Sequence, residues 1–143
     1  MINTIKLEEA KKLIKKEPKP IIIKAQDTEF NRKILEYGRF QVLLSPDDNQ
    51  GRQTLRFLDS GFDYVMAKAA AKNGISIGID LSNILKLDKT AKALRLSKIK
   101  QNLEIAKKAN TKIKAINYKD KRLAFSLLLS LGASTKQASQ AIA

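Results

Sequence analysis

Apolar positions recur along this chain in short blocks of two kinds. Runs of three to five β-branched or aliphatic residues alternate with longer stretches in which apolar residues return every three or four positions. Leu7, Ala10, Leu13 and Ile14 predict an amphipathic helix over Leu7–Lys16, with Glu8 and Glu9 in its first turn and Pro18 and Pro20 beyond its end. Ile21–Ile23 predicts a buried strand. Asp27 or Thr28 can cap a helix carrying Phe30, Ile34 and Leu35 that stops at Gly38. Phe40–Leu44 is a second strand, closed by Ser45-Pro46, and Asp47–Arg56 a polar loop. Phe62–Asn73 is a helix, Ile75–Ile79 a third strand, and Asp80 can cap a segment beginning Leu81-Ser82. Ala91–Ala109 is a long helix with Leu96, Ile99, Leu103 and Ala106 on one face. Ile113–Ile116 is a fourth strand, and Asp120 caps a helix ending at Leu131-Gly132. Ser134 and Gln137 form a capping box for a last short helix.

Continuous apolar strands that alternate with helices imply a parallel sheet covered on both faces, in one α/β domain over residues 1–143. The pattern leaves two windings open, a doubly wound sheet and part of a barrel. A complete eight-unit barrel takes roughly 200 residues or more, beyond this chain's 143.

Charge changes the picture most. Lys and Arg number 28 against 14 Asp and Glu, a net charge of +14. A compact fold with that excess repels itself, and a polyanion relieves the repulsion. The basic residues are spread along the chain and not gathered on one amphipathic helix, which argues against a membrane surface. Met1–Lys6 has no apolar signal region, and Leu123–Leu131 is too short to span a bilayer. The absence of Cys suits a reducing cytoplasm, the expected location.

The chain has neither His nor Cys, so triads built on them are excluded, as are thiolate zinc sites. No glycine spacing matches a phosphate-binding loop. Asp27, Asp47, Asp48 and Asp80 directly follow strands, where parallel α/β folds place active sites and could hold Mg²⁺. Each also has a capping or loop role available. We expect no catalytic residue, metal ligand or cofactor on this chain.

The candidates for RNA contact are Arg32, Lys33, Arg52, Arg56, Lys98 and Lys100. Arg is preferred because its planar fork grips phosphate in two places and stacks on bases. Aromatics are only 6% of the chain, so contact by shape and phosphate is expected over base reading. The Phe62–Asn73 helix is apolar nearly all round, and Tyr64, Ala67, Lys68 and Ala71 are the candidates for a protein interface.

Several segments carry a family resemblance in their order and spacing. They are Ile21-Ile22-Ile23-Lys24-Ala25-Gln26-Asp27, Asn31-Arg32-Lys33-Ile34-Leu35, Val42-Leu43-Leu44-Ser45-Pro46, Ser60-Gly61, Ala70-Ala71-Lys72-Asn73 and Ile77-Gly78-Ile79. Asn102-Leu103, Ala106-Lys107-Lys108 and Leu131-Gly132 follow. From about Pro20 onward the succession resembles archaeal ribonuclease P protein component three, whose eukaryotic relative is the thirty-kilodalton RNase P and MRP subunit. The resemblance implies a TIM-like (β/α) barrel of parallel strands, here shortened to fewer than eight units, related to the metal-dependent PHP phosphoesterases. It implies RNase P RNA, precursor tRNA and a Pop-five-type protein as partners, in an assembly that can reach a heterotetramer. Cleavage of the tRNA leader, and its Mg²⁺, would belong to the RNA. Two departures stand out: initial β-α units of the family are not visible here, and Asp63 occupies a position where an Asn is expected. The alternatives are a PHP-type phosphoesterase, which the lack of His opposes, and another basic RNA-binding protein of ribosomal type.

Overall fold

The computed structural model describes residues 1–48, 53–54 and 57–143. Its helices are α1 (Leu7–Lys16), α2 (Thr28–Tyr37), α3 (Tyr64–Lys72), α4 (Leu81–Leu85), α5 (Lys89–Ala109), α6 (Lys121–Ser130) and α7 (Thr135–Ala141). Its strands are β1 (Ile22–Lys24), β2 (Val42–Leu44), β3 (Gln53–Thr54), β4 (Phe57–Leu58), β5 (Ser76–Asp80) and β6 (Ile113–Ile116). No helix among the described residues is long and apolar enough to cross a membrane.

Local capping sets most helix starts. The Asp27 carboxylate accepts the Phe30 N–H at 2.7 Å, and Asp120 accepts those of Arg122 and Leu123. Ser134 and Gln137 complete the expected capping box. Two starts differ from the sequence expectation because a carboxylate intervenes. Asp63 takes the N-cap of α3, so the helix begins at Tyr64 and not Phe62. Asp88 caps α5, which therefore begins at Lys89, two residues before Ala91. The expected polar loop Asp47–Arg56 contains β3, whose antiparallel partner β4 follows directly.

β1, β2, β5 and β6 form one parallel sheet in that order. Each strand joins the sheet beside its predecessor, so every crossover proceeds in the same direction. Right-handed crossovers then place all the helices on one side. This is the winding of a barrel sector, and it decides the question the apolar pattern left open. Ile23, Leu43, Ile77 and Ile113 stand in register across the sheet, each at most 2% exposed, and join the helix-facing core. Gly78 belongs to the opposite face. A Cβ there would come within 2.8 Å of Val42 Cγ1 and 3.0 Å of Leu44 Cδ1, so those two side chains close over a place only glycine leaves free.

Both edges of the sheet are partly covered. Ile2 forms a parallel bridge with Ile23: its N–H donates to the Ile22 carbonyl and its own carbonyl accepts from Lys24. Ile2 thus lies alongside β1 as a single bridging residue, followed by α1. At the other edge α7 packs along β6, held where Tyr118 Oη donates to the Ile142 carbonyl.

Candidate nucleic-acid and protein interfaces

Each of the four carboxylates at the C-terminal ends of the strands has partners within the chain, and Asp47 and Asp48 share one. Asp27 caps α2. Asp80 Oδ1 accepts from Ser82 N, Ser82 Oγ and Asn83 N, while Oδ2 accepts from Asn117 Nδ2 at 3.0 Å. Asp47 and Asp48 grip Arg95, at 3.2 Å to Nη1 and 2.7 Å to Nη2, and Asp48 also takes Lys24 Nζ at 3.1 Å. Among the described residues no group of three or more His, Cys, Asp or Glu is placed to hold a metal ion.

The Asp47–Arg95 pair is buried: Asp47 is 2% exposed. Ser45, in the left-handed region at φ 55°, turns the chain after β2 so that Asp47 lies beneath α5. Burial pushes the Asp47 carboxyl upward in pKa, opposed by the guanidinium beside it. One turn along α5, the Lys98 amine is pushed down, first by burial and then by Arg95. A residue missed on the sequence, Arg95, thus pins α5 to the end of β2. Its signal was available: Arg95, Lys98, Asn102 and Ile99 share one helical stripe.

The expected RNA contacts fare unequally. Lys98 is 4% exposed, in the field of Asp59, Asp47 and Asp48, and is corrected from a phosphate contact to a buried member of this charged cluster. Arg32 is half exposed and reaches Asp63 at 3.3 Å, which gives Asp63 two roles, cap and counter-ion. Lys33 is exposed and pairs with Glu29 at 2.8 Å, the bond that raises its pKa. Lys100 is exposed. Arg52 and Arg56 lie outside the described residues.

Helix α3 also divides. Tyr64 and Lys68 are exposed, with the Lys68 amine 5.5 Å from the Tyr64 ring centroid, and Ala71 is half-buried. Ala67 is 0% exposed, and its carbonyl accepts Thr111 Oγ1 at 2.7 Å. Ala67 is therefore core and not interface: with Ala70 it lets α5 approach closely. Val65, also on this apolar helix, faces out at 62% exposure.

A second apolar surface is open beyond the outward side of α3. A groove of about 410 Å³ runs between α4 and α6, lined by Leu81, Ile84, Leu85, Tyr118, Leu123 and Leu127. Leu85 and Leu123 are each 70% exposed on its walls. Leucines so exposed beside an apolar groove make it a candidate surface for another protein.

No family model matches the chain. Curated relatives do. Ribonuclease P protein component 3 of Methanococcus maripaludis (strain C7) is 25% identical over 111 residues, covering 78% of this chain and 45% of the relative. The Methanococcus vannielii protein of the same name is 32% identical over 93 residues, covering 65% and 37%. That of Methanosarcina mazei is 35% identical over 88 residues, covering 62% and 34%. The chain thus spans less than half the length of these relatives. Among solved structures, a chain in a cryo-EM structure of archaeal ribonuclease P with mature tRNA shares the fold, with a TM-score of 0.80 and 21% identity over 99% of this chain and 62% of that one. Over most of its length this chain is similar in sequence to archaeal ribonuclease P protein component 3, and its fold is a sector of a (β/α) barrel.

Proposed function

We propose that this chain is a protein subunit of ribonuclease P, supplying counter-charge and a shaped surface to the RNA that removes the 5′ leader from precursor tRNA. The observation that carries it is the homology to component 3 in a chain of net charge +14. The strand-end carboxylates favour this over a PHP-type phosphoesterase, because helix caps and cations of the chain already engage each of them. The Mg²⁺ of the reaction belongs to the RNA, and the site of action is the cytoplasm.

The protein partner is of the Pop-five type, and its docking place is the groove between α4 and α6. That surface has exposed leucines, whereas the inner side of α3 is closed by the chain itself. Paired copies of such a complex would form the heterotetramer.

Reconstitution tests this. The chain is added to ribonuclease P RNA and a Pop-five-type protein of Methanococcus maripaludis, and cleavage of precursor tRNA is followed. Cleavage rises with the chain present, and the chain alone with Mg²⁺ leaves the substrate intact. Leu123→Lys weakens pairing with the Pop-five-type protein by about tenfold or more, the loss typical of a buried apolar anchor. Cleavage by the chain alone, abolished by Asp27→Asn or Asp80→Asn, would restore the phosphoesterase alternative.

A further inference from the structure

In a sheet wound in one direction, helices start at the C-terminal ends of the strands and finish at the N-terminal ends. Capping chemistry then sorts the charges. Of the eight Asp, Asp27, Asp63, Asp80, Asp88 and Asp120 are helix N-caps, Asp59 lies between β4 and α3, and Asp47 and Asp48 directly follow β2. Helix N-termini favour carboxylates, and C-termini favour cations.

The opposite end is basic. Helix α1 closes on Lys15 and Lys16, and Lys19 follows in the loop to β1. Arg39 stands in the loop to β2, and Lys72 closes α3. Helix α5 closes on Lys107 and Lys108, and Lys112 leads into β6. All eight are exposed. Against them stand Glu17 and Glu36, with Glu104 one turn back along α5 and paired with Lys108. Helix dipoles account for cations in the last turns. They do not account for Lys19, Arg39 and Lys112, which lie beyond the helices and have no acidic partner among the described residues.

Between the ends of α1, α2 and α3 lies an open recess of about 510 Å³, whose polar lining is Lys15, Glu17, Lys19, Arg39, Gln41 and Asn73. Gln41 Oε1 accepts the Ile21 N–H at 2.6 Å, which fixes the side chain. Its Nε2 donor has no protein partner among the described residues. Three cations against one carboxylate, around a fixed amide donor, leave a net positive recess that suits a phosphodiester, which offers two anionic acceptors and a backbone able to continue over the surface.

We propose that the N-terminal end of the sheet is the surface that carries the RNA backbone, with a phosphate seated in the recess beside Lys19, Arg39 and Gln41. The proposal rests on the reading of the chain as a ribonuclease P subunit and assigns the RNA to one end of it. Arg32 and Lys33, the sequence candidates, lie toward the other end and are already paired with Asp63 and Glu29.

The test is a salt titration of the full chain binding transcribed ribonuclease P RNA of Methanococcus maripaludis, read by fluorescence anisotropy. One variant carries Lys19→Gln, Arg39→Gln and Lys112→Gln. A charge-matched variant carries Lys6→Gln, Lys86→Gln and Lys89→Gln, at the other end. Each phosphate contact contributes roughly 0.7 to 0.9 to the slope of log affinity against log salt. The first variant therefore flattens the slope by about two units, and the second leaves it nearly unchanged. Gln41→Ala lowers affinity at fixed salt by a few fold without changing the slope, because it removes a neutral donor. If both triple variants flatten the slope equally, or the second does so more, the RNA lies elsewhere and the assignment is wrong, while the subunit reading stands. If the unmodified chain binds RNA with no salt dependence and adds nothing to reconstituted cleavage, both fail together.

Discussion

Ala67→Glu unfolds the isolated chain. Ala67 is 0% exposed, and Thr111 holds its carbonyl against the end of α5. A glutamate there must either bury a carboxylate with no cation beside it or push α3 off α5. Burying an unpaired ion costs several kcal/mol, and overpacking adds about 1–3 kcal/mol. Together these rival the roughly 5–15 kcal/mol that holds a typical domain together. Circular dichroism melts check it, with Tyr64→Glu as the comparison, since Tyr64 is 48% exposed and its change leaves the melt within a few degrees. A folded Ala67→Glu chain that had lost only its partner would return α3 to the role of interface.

Arg95→Leu is expected to be nearly as damaging, with a pH signature. It leaves Asp47, 2% exposed, without its buried cation, at a cost of about 3–5 kcal/mol. Burial already raises the Asp47 pKa above its ordinary 3.8. For an acid whose pKa is raised by folding, the native state holds the proton more tightly. Stability tied to it is therefore greatest below the unfolded value and is lost as pH rises through the folded one. Arg95 offsets part of that loss at neutral pH. Without it the folded pKa climbs further, so the deficit against wild type is largest near neutrality and shrinks as acid protonates Asp47. Urea melts of both proteins at neutral and mildly acid pH measure this. A deficit that does not change with pH would show that Asp47 is not the group responsible. Replacing both residues, Arg95→Leu with Asp47→Leu, should recover much of the lost stability, because no buried charge is then left alone.

Both outcomes turn on contacts that span long stretches of sequence, and there the sequence was least legible. Local features were read correctly: Asp27, Asp80, Asp120 and the Ser134–Gln137 box act within three residues of themselves. The Asp63 and Asp88 caps obey the same rule but were overlooked, which cost one helix start two residues too early and another two too late. Lys98 was misread because α5 is only weakly amphipathic. Its buried stripe mixes Ile99 and Leu103 with Lys98 and Asn102, and charge suggested solvent where the fold supplies Asp59 and Asp47. Ala67 and Ala71 were indistinguishable as small residues on an apolar helix. Only the neighbouring α5 decides that one is covered and the other half open.

The sequence by itself determined the alternation of strands and helices, where most helices begin, the excess of positive charge and the resemblance to component 3. The first three depend on neighbours within a few residues or on composition, and the last on the order and spacing of short segments along the chain. The tertiary structure decided the single direction of winding, the pairing of Arg95 with Asp47 across 48 positions, the burial of Lys98 and Ala67, and the gathering of Lys19, Arg39 and Lys112 at one end. An apolar run records that a strand is buried but not which strand lies beside it. Charges far apart in sequence acquire a common surface only when the crossovers bring their loops together.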